Sequence, residues 1–269
     1  MPPSHRLAVS ERTPDGPASS GLLVVLVHGS LDRSTSFARV LRRLGDLHTV
    51  VYDRRGYHRS RGALPLHTTL DGHVDDLLAV IDGRPAVVVG HSYGGLVALG
   101  TALRPEGRRS VAGVAAYEPP MPWLPLWPRR PEARPARTGS GDPPDGAAEA
   151  ERFFRRMVGD TAWDRLPEEG RAARRADGPA LAAELRAIRM TEAPFDVTAL
   201  GVPAVFARGE RSADRHRRSV AWLVDQTPGA ELAEFPGAGH GAHLTHPDAF
   251  ADLARRVLAR AEHQADWSA

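Results

Sequence analysis

A serine flanked by glycines follows a run of β-branched residues, in Val87-Val88-Val89-Gly90-His91-Ser92-Tyr93-Gly94. The pattern G-x-S-x-G between a buried strand and a helix holds its serine on a sharp turn, with the hydroxyl above the sheet. Glycine is needed on both sides because so tight a turn leaves no room for side chains two residues away. Ser92 is therefore the predicted nucleophile. The alternative is a glycine-rich turn that carries an inactive serine.

A serine hydroxyl needs a base to take its proton, and His240 in the segment Gly-Ala-Gly-His-Gly is the candidate. This glycine-rich segment follows the last predicted strand and can approach the Ser92 turn. His243 is the second choice, whereas His246 is typical of a helix start. An inactive surface histidine is the alternative for each.

Amide donors for a developing oxyanion are predicted on two segments. One donor is the backbone N–H of Tyr93, directly after the predicted nucleophile, and the other is the N–H of Ser30. Ser30 follows His28-Gly29 at the end of an apolar run, so His28 and Gly29 are predicted to line the substrate site. A plain loop turn is the alternative for this segment.

These residues should meet at one edge of a sheet, because open α/β sheets place their sites at the carboxyl ends of the strands. Hydrophobic patterning predicts strands at 6–10, 22–27, 49–52, 86–89, 110–117, 202–207 and 231–235. It predicts helices at 34–44, 69–81, 95–103, 147–158, 168–175, 179–190, 215–226 and 247–262. The alternation predicts an α/β fold with a doubly wound, mostly parallel sheet.

The alternation stops between residues 119 and 195, where prolines accumulate and helical patterns follow. We expect residues 1–118 and 196–269 to form the core domain and residues 119–195 to form a helical cap. The segment 129–146 is rich in Arg, Pro and Gly, which predicts a mobile lid loop.

Aromatic residues in the insertion are candidates for an apolar pocket under the cap. They are Trp123, Trp127 and Phe153, with Phe154 beside the last. If they line the pocket, the substrate is at least partly hydrophobic. Packing of the cap against the core is the alternative.

Composition limits the classes of function. With 269 residues, of which 42% are hydrophobic, the chain can form one large domain with an insertion, and the absence of Cys excludes disulfides and thiolate metal sites. Lys+Arg number 35 against 33 Asp+Glu, and the net charge of +2 argues against nucleic-acid binding. The apolar runs are too short for a membrane span, and the first residues lack a signal-peptide pattern. We expect a cytoplasmic monomer or homodimer whose partner is a small-molecule substrate.

Together the motifs resemble the α/β-hydrolase superfamily. Leu-Val-His-Gly, Asp-Arg-Arg-Gly-Tyr-x-Arg-Ser, Gly-His-Ser-Tyr-Gly-Gly and Gly-Ala-Gly-His occur in that family's order, over essentially the whole chain except 119–195. The resemblance implies a serine enzyme that needs no cofactor and no metal, with a Ser-His-acid triad and the insertion as its cap.

The acid of that triad departs from the family pattern. Many members carry Gly-x-x-Asp after the strand read here as 202–207, whereas this chain has Gly209-Glu210-Arg211-Ser212. Glu118 ends the strand 110–117, and some superfamily members, certain haloalkane dehalogenases among them, place the acid after that strand. Glu118 is the predicted acid. Asp214 is the alternative, and Glu210 is a third candidate.

Ser92 also limits the reaction, because dehalogenases and epoxide hydrolases of this fold usually carry Asp as the nucleophile. The predicted function is hydrolysis of an ester, thioester or lactone of a small to medium apolar substrate through an acyl-enzyme. One alternative is a non-hydrolytic enzyme of secondary metabolism that uses the same site for cyclisation, acyl transfer or C–C cleavage. Another is a ligand-binding member that has lost catalysis.

Three arginines follow Asp53 in the turn after the second predicted buried strand: Arg54, Arg55 and Arg59. An arginine there could clamp a substrate carboxylate. The favoured interpretation is structural, with Asp53 and an arginine holding the loop together.

Overall fold

The computed structural model of the chain describes residues 6–67, 69–127, 146–188 and 191–266. The predicted lid loop at 129–146 lies almost entirely outside the described residues. Within the described part, no helix is long and apolar enough to cross a bilayer.

Seven strands of the described residues form one sheet in the order β1-β3-β2-β4-β5-β6-β7. They are β1 Val9–Arg12, β2 Leu23–Val27, β3 Thr49–Tyr52, β4 Ala86–His91, β5 Val111–Tyr117, β6 Ala204–Gly209 and β7 Glu231–Phe235. Only the edge strand β1 runs antiparallel to its neighbour, and the other pairs are parallel. The prediction of a doubly wound, mostly parallel sheet is confirmed.

The helices of the described residues cover both faces of this sheet and its carboxyl end. They are α1 Ala38–Leu41, α2 Leu70–Ile81, α3 Tyr93–Leu103, α4 Gly146–Val158, α5 Asp160–Asp164, α6 Glu168–Ala176, α7 Gly178–Ala187, α8 Asp214–Gln226, α9 Ala242–Thr245 and α10 Pro247–Asp266. One apolar cluster joins the sheet to α2, α3 and α8, and a second joins its other face to α1 and α10. Because both faces are covered, β2 and β4 are continuous buried runs instead of alternating ones.

The helix predicted over residues 34–44 is wrong in its length and regularity. The segment begins as a 3-10 turn at Ser34–Phe37 and continues only into the single-turn helix α1. The N–H of Ser34 donates to Asp53 Oδ1 at 2.8 Å, and the Ser34 hydroxyl accepts from Arg59 at 3.0 Å. The hydroxyl expected to cap a helix is therefore bound to the turn after β3.

The helices α4–α7, called here the insertion helices, lie between β5 and β6 in the chain and contact the carboxyl end of the sheet. Arg174 donates to Leu31 O at 2.7 Å. The buried Asp177 accepts from the N–H of His58 at 3.0 Å and pairs with Arg61 at 2.7 Å. Leu31 and His58 follow β2 and β3, so the insertion helices cover the edge where the predicted site residues lie. The division into core and cap stays a prediction.

Candidate active site

Ser92 lies on a strained turn between β4 and α3. Its backbone has φ 53° and ψ −124°, in a region that residues with a side chain seldom occupy. A Cβ on Gly90 would lie 2.2 Å from Gly94 O, and one on Gly94 would lie 2.2 Å from Val27 O. Neither position can hold a side chain, which gives the G-x-S-x-G pattern its physical reason. Ser92 itself is partly exposed to solvent.

His240 and Glu118 meet beside this turn. Glu118 directly follows β5, is fully buried, and has a strained backbone with φ 48°. Its Oε2 lies 2.7 Å from His240 Nδ1, and its Oε1 accepts from the N–H of Gly209 at 2.8 Å. Both carboxylate oxygens therefore have fixed partners, and His240 presents its Nε2 on the side away from Glu118.

The two other acid candidates lie elsewhere. Asp214 begins α8, leaves 67% of its side chain exposed, and pairs with Arg217 and Arg218 at 3.6 and 3.7 Å. Glu210 is exposed and accepts from the N–H of Gly237 at 2.6 Å, so it supports the loop that leads to His240. Of the three carboxylates, only Glu118 contacts His240.

His91, the residue before Ser92, ties the His240 loop to the turn. Its Nε2 donates to the carbonyl oxygen of His240 at 2.8 Å, because a carbonyl can only accept. Burial, with the nearby charges of His243 and His240, lowers the pKa of His91 well below its usual value. Within the described part of the chain the Ser92 hydroxyl has no hydrogen bond. Such bonds are commonly long in unliganded sites and shorten when substrate binds.

His243 belongs to a different pair. Its Nε2 lies 3.0 Å from Asp32 Oδ2, and its ring packs on His91 with centroids 4.2 Å apart. Burial by itself would raise the pKa of Asp32, but the neighbouring His243 lowers it far below its usual value. His246 accepts at Nδ1 from the Thr245 hydroxyl or donates to it, at 2.8 Å, just before α10.

The predicted oxyanion segments adjoin Ser92 from two sides. Tyr93 is the first residue of α3, where backbone N–H groups have no intrahelical acceptor. Gly29 packs against the turn, since a Cβ on it would lie 3.0 Å from Ser92 Cβ. His28 is fully buried, and its Nε2 accepts from the N–H of Arg54 at 2.8 Å. Burial, with the nearby charge of Arg54, lowers the pKa of His28 to about 3, so its ring is neutral.

The three arginines after β3 each pair with a carboxylate of the protein itself, and their structural role stays a prediction. Arg59 pairs with the buried Asp53 at 2.9 Å, and Arg55 pairs with Asp76 at 2.6 Å. Arg54 is fully buried and pairs with Glu184 of α7.

The predicted aromatic residues have different surroundings. Trp127 packs edge-on against His216 with centroids 5.1 Å apart, and its Nε1 donates to Ser219 at 2.7 Å. Trp123 packs against Phe195 at 6.1 Å. Phe153 contacts the small apolar cluster that contains Leu31, one residue beyond Ser30.

His216 is a residue that the sequence patterns did not indicate. It is buried in the first turn of α8 and stacks on His240, with ring centroids 4.5 Å apart and planes at 29°. Burial, with the charges of His240 and Arg215, lowers the pKa of His216 to about 2. A neutral ring therefore packs against the predicted base, and only its patterning within an amphipathic helix could have marked it as buried.

Three groups of described side chains bring three metal-capable atoms within 4.8 Å of one another: Asp32-His91-His243, His67-His73-Asp76 and Glu118-His216-His240. In the third group both oxygens of the Glu118 carboxylate already have donors. That no metal takes part stays a prediction.

Known proteins resemble this chain in sequence and in structure. A family model described as "Alpha/beta hydrolase family" matches residues 24–253. The pimeloyl-[acyl-carrier protein] methyl ester esterase of Chromobacterium violaceum is 33% identical over 247 residues, which span 89% of this chain and 93% of that protein. An enol-lactonase from Burkholderia xenovorans has a similar structure, with TM-score 0.71, 21% identity and coverage of 93% of this chain and 96% of that one. A hydrolase from Pseudomonas aeruginosa gives TM-score 0.72 at 20% identity, over 95% and 96% of the two chains.

Proposed function

The chain belongs to the α/β hydrolase family, and we propose that it is a serine hydrolase that cleaves an ester, thioester or lactone of a small to medium apolar substrate. The observation that carries this proposal is the strained Ser92 turn with the His240–Glu118 pair beside it. The esterase and lactonase relatives support the same class of reaction.

In the proposed reaction, Ser92 Oγ attacks the substrate carbonyl while His240 Nε2 takes the serine proton. Glu118 accepts from His240 Nδ1–H, which fixes the tautomer and stabilises the imidazolium that forms. The carbonyl oxygen becomes an oxyanion that the N–H groups of Ser30 and Tyr93 stabilise. His240 then protonates the leaving alcohol or thiol, and the acyl group stays on Ser92.

Deacylation repeats these roles with water. His240 takes a proton from the water that attacks the acyl carbon, and Ser92 leaves with the proton that His240 returns. Exclusion of other water is the proposed role of the insertion helices, whose Phe153 packs on the apolar cluster that contains Leu31, the residue after Ser30. An apolar acyl group suits these side chains and Trp127, which reaches His240 through His216.

The test combines an active-site label with ester turnover. A fluorophosphonate probe is expected to label Ser92 stoichiometrically, and the protein is expected to hydrolyse p-nitrophenyl butyrate. Ser92→Ala should abolish labelling and lower kcat by about 10⁵-fold or more, because the covalent step is lost. Ser10→Ala, on the exposed edge strand β1, is the matched control and should change neither.

A folded protein that takes no label at Ser92 would overturn the proposal. Labelling of Ser92 by the probe without hydrolysis of p-nitrophenyl butyrate would instead support transfer of the acyl group to an acceptor other than water.

A further inference from the structure

The buried side chain of Arg54 is fixed along its whole length beside the proposed oxyanion segment. It donates from Nε to His28 O and from Nη2 to Gly29 O, each at 2.9 Å. Its Nη1 lies 2.5 Å from Glu184 Oε2. Two of the three guanidinium nitrogens therefore donate to consecutive backbone carbonyls, those of the two residues that precede Ser30.

These bonds fix the orientation of the proposed donor. In a trans peptide the carbonyl oxygen and the next N–H point in opposite directions, and the peptide between Gly29 and Ser30 is trans. Arg54 holds the Gly29 carbonyl on one side, together with His28 Nδ1, which donates to the same oxygen at 2.8 Å. The Ser30 N–H is therefore turned to the other side. The Ser92 turn packs closely against Gly29, at 3.0 Å from a Cβ built there.

Glu184, on the insertion helix α7, completes the arrangement. One of its oxygens pairs with Arg54, and the other accepts from the Ser30 hydroxyl. The carboxylate is buried, with 1% of its side chain exposed. An insertion helix thus contacts both the donor residue and the arginine that orients it.

The groups around this pair are otherwise neutral. The rings of Tyr57 and Tyr93 lie over the guanidinium, with Cζ 5.0 and 4.9 Å from their centroids. His73 Nε2 is 3.9 Å from Glu184, and burial, with the charge of Arg54, lowers the pKa of His73 well below its usual value. Among the described residues, Glu184 is the only carboxylate within ion-pair distance of Arg54. Removing its charge would leave a buried guanidinium without a counter-ion.

We propose that Arg54 and Glu184 are positioning residues that orient the Ser30 N–H for the oxyanion, with Glu184 supplied by the insertion. This inference rests on the proposed function. It assigns the insertion a part in stabilising the transition state, in addition to covering the site. A displaced amide donor stabilises the oxyanion of the transition state less, and it affects the ground-state carbonyl less strongly. We therefore expect the effect in kcat.

The test is Glu184→Gln, which keeps the side-chain shape and removes the charge. We expect kcat for p-nitrophenyl butyrate to fall about 10- to 100-fold, with KM changed less than about threefold. Butylboronic acid forms a tetrahedral anionic adduct on serine, and its Ki should rise by the same factor as kcat falls. Glu151→Gln is the matched control, because Glu151 of α4 pairs with Arg155 of the same helix and Arg175 of α6, away from Arg54. It should leave kcat and Ki unchanged.

Ser30→Ala provides a second variant that keeps the Arg54–Glu184 pair. It removes only the bond to Glu184, and we expect a several-fold loss in kcat with a matching rise in Ki. If Glu184→Gln does not fold, Ser30→Ala decides the question. An unchanged Ki in folded Ser30→Ala, or equal effects of Glu184→Gln and Glu151→Gln, would overturn the inference. Ser92→Ala distinguishes failure of this inference from failure of the proposed function: if Ser92→Ala stays active, the proposed function itself is wrong.

Discussion

The ends of β5 and β6 are neighbours in the sheet, yet the carboxylates that follow them have opposite surroundings. Glu118, after β5, is fully buried, strained, and bonded through both oxygens to His240 and Gly209. Asp214, after β6, is exposed at the start of α8 and pairs with surface arginines. An anion at a helix N-terminus mainly stabilises the helix. A carboxylate with both oxygens fixed can instead hold an imidazole in one orientation.

The same contrast applies to the backbone. Ser92 and Glu118, directly after the adjacent strands β4 and β5, both have positive φ, whereas Asp214 lies in a regular first helical turn. Strain of this kind costs about 1–3 kcal/mol for each residue and persists only where the surrounding structure enforces it. Its presence at two neighbouring strand ends marks the candidate site more sharply than either residue type does.

Exchanging each carboxylate for its amide should give the largest difference. Glu118→Gln is expected to lower kcat/KM for p-nitrophenyl butyrate by about 10⁴-fold, because the neutral amide neither fixes the His240 tautomer nor stabilises the imidazolium. Asp214→Asn should stay within about twofold of the wild type, since exposed pairs contribute little. A loss confined to Asp214→Asn would reverse the assignment of the acid.

A smaller effect should follow from moving the acid to the β6 side. Ser212 is buried and occupies the position where many family members carry Asp. In the Glu118→Gln background, Ser212→Asp is expected to raise kcat/KM by about tenfold or more, which is about 1.4 kcal/mol of transition-state stabilisation. Ser212→Asn in the same background is the neutral control and should restore nothing. Equal rates in the two double variants would show that the β6 end cannot support His240.

The smallest expected effect is that of His216 on stability. His216 lies in α8, after β6, and packs a neutral ring on His240 where an acid after β6 would place a carboxylate. Its pKa in the folded protein, about 2, lies below the usual value of about 6.5, so the unfolded chain binds the proton first as pH falls. Its contribution to stability is therefore present above pH 6.5 and is lost progressively below it. Between pH 6 and pH 5 the free energy of unfolding should fall by about 1 kcal/mol less in His216→Gln than in the wild type.

Urea unfolding at the two pH values measures this difference. Asp214→Asn, on the same helical turn but exposed, should keep the wild-type slope. Identical slopes in the wild type and His216→Gln would contradict this, because they would mean that His216 binds its proton equally well in the folded and the unfolded chain.

Local patterning predicted most of the fold. Strands β3 and β7 have the bounds expected from the sequence, and β2 and β5 differ from expectation by one residue. Strands β2, β3 and β5 are short apolar runs, and β7, which carries two glutamates, lies between Gly229 and Pro236, so their limits are visible locally. The segment 34–44 was predicted wrongly because Ser34 is bound to Asp53, a partner on another loop. No local pattern encodes that competition.

The residues missed in the candidate site have the same explanation. Glu184 lies 130 positions from Arg54 in the chain, and their contact depends on how the insertion helices pack on the sheet. His216 lies in a helix whose pattern marks its buried face but does not identify the residue it packs against.

The sequence by itself determined the family, the strand-turn-helix around Ser92, and the order in which base and amide donors follow it. Each of these is visible in local patterns: a turn so tight that a Cβ on Gly90 would meet Gly94 O, and apolar runs that end in polar residues. Only the tertiary structure decided which carboxylate contacts His240, since Glu118, Asp214 and Glu210 are all acidic residues near strand ends. That choice depends on burial, on the backbone direction at a strand end, and on contacts between residues far apart in the chain, none of which is fixed until the sheet is assembled.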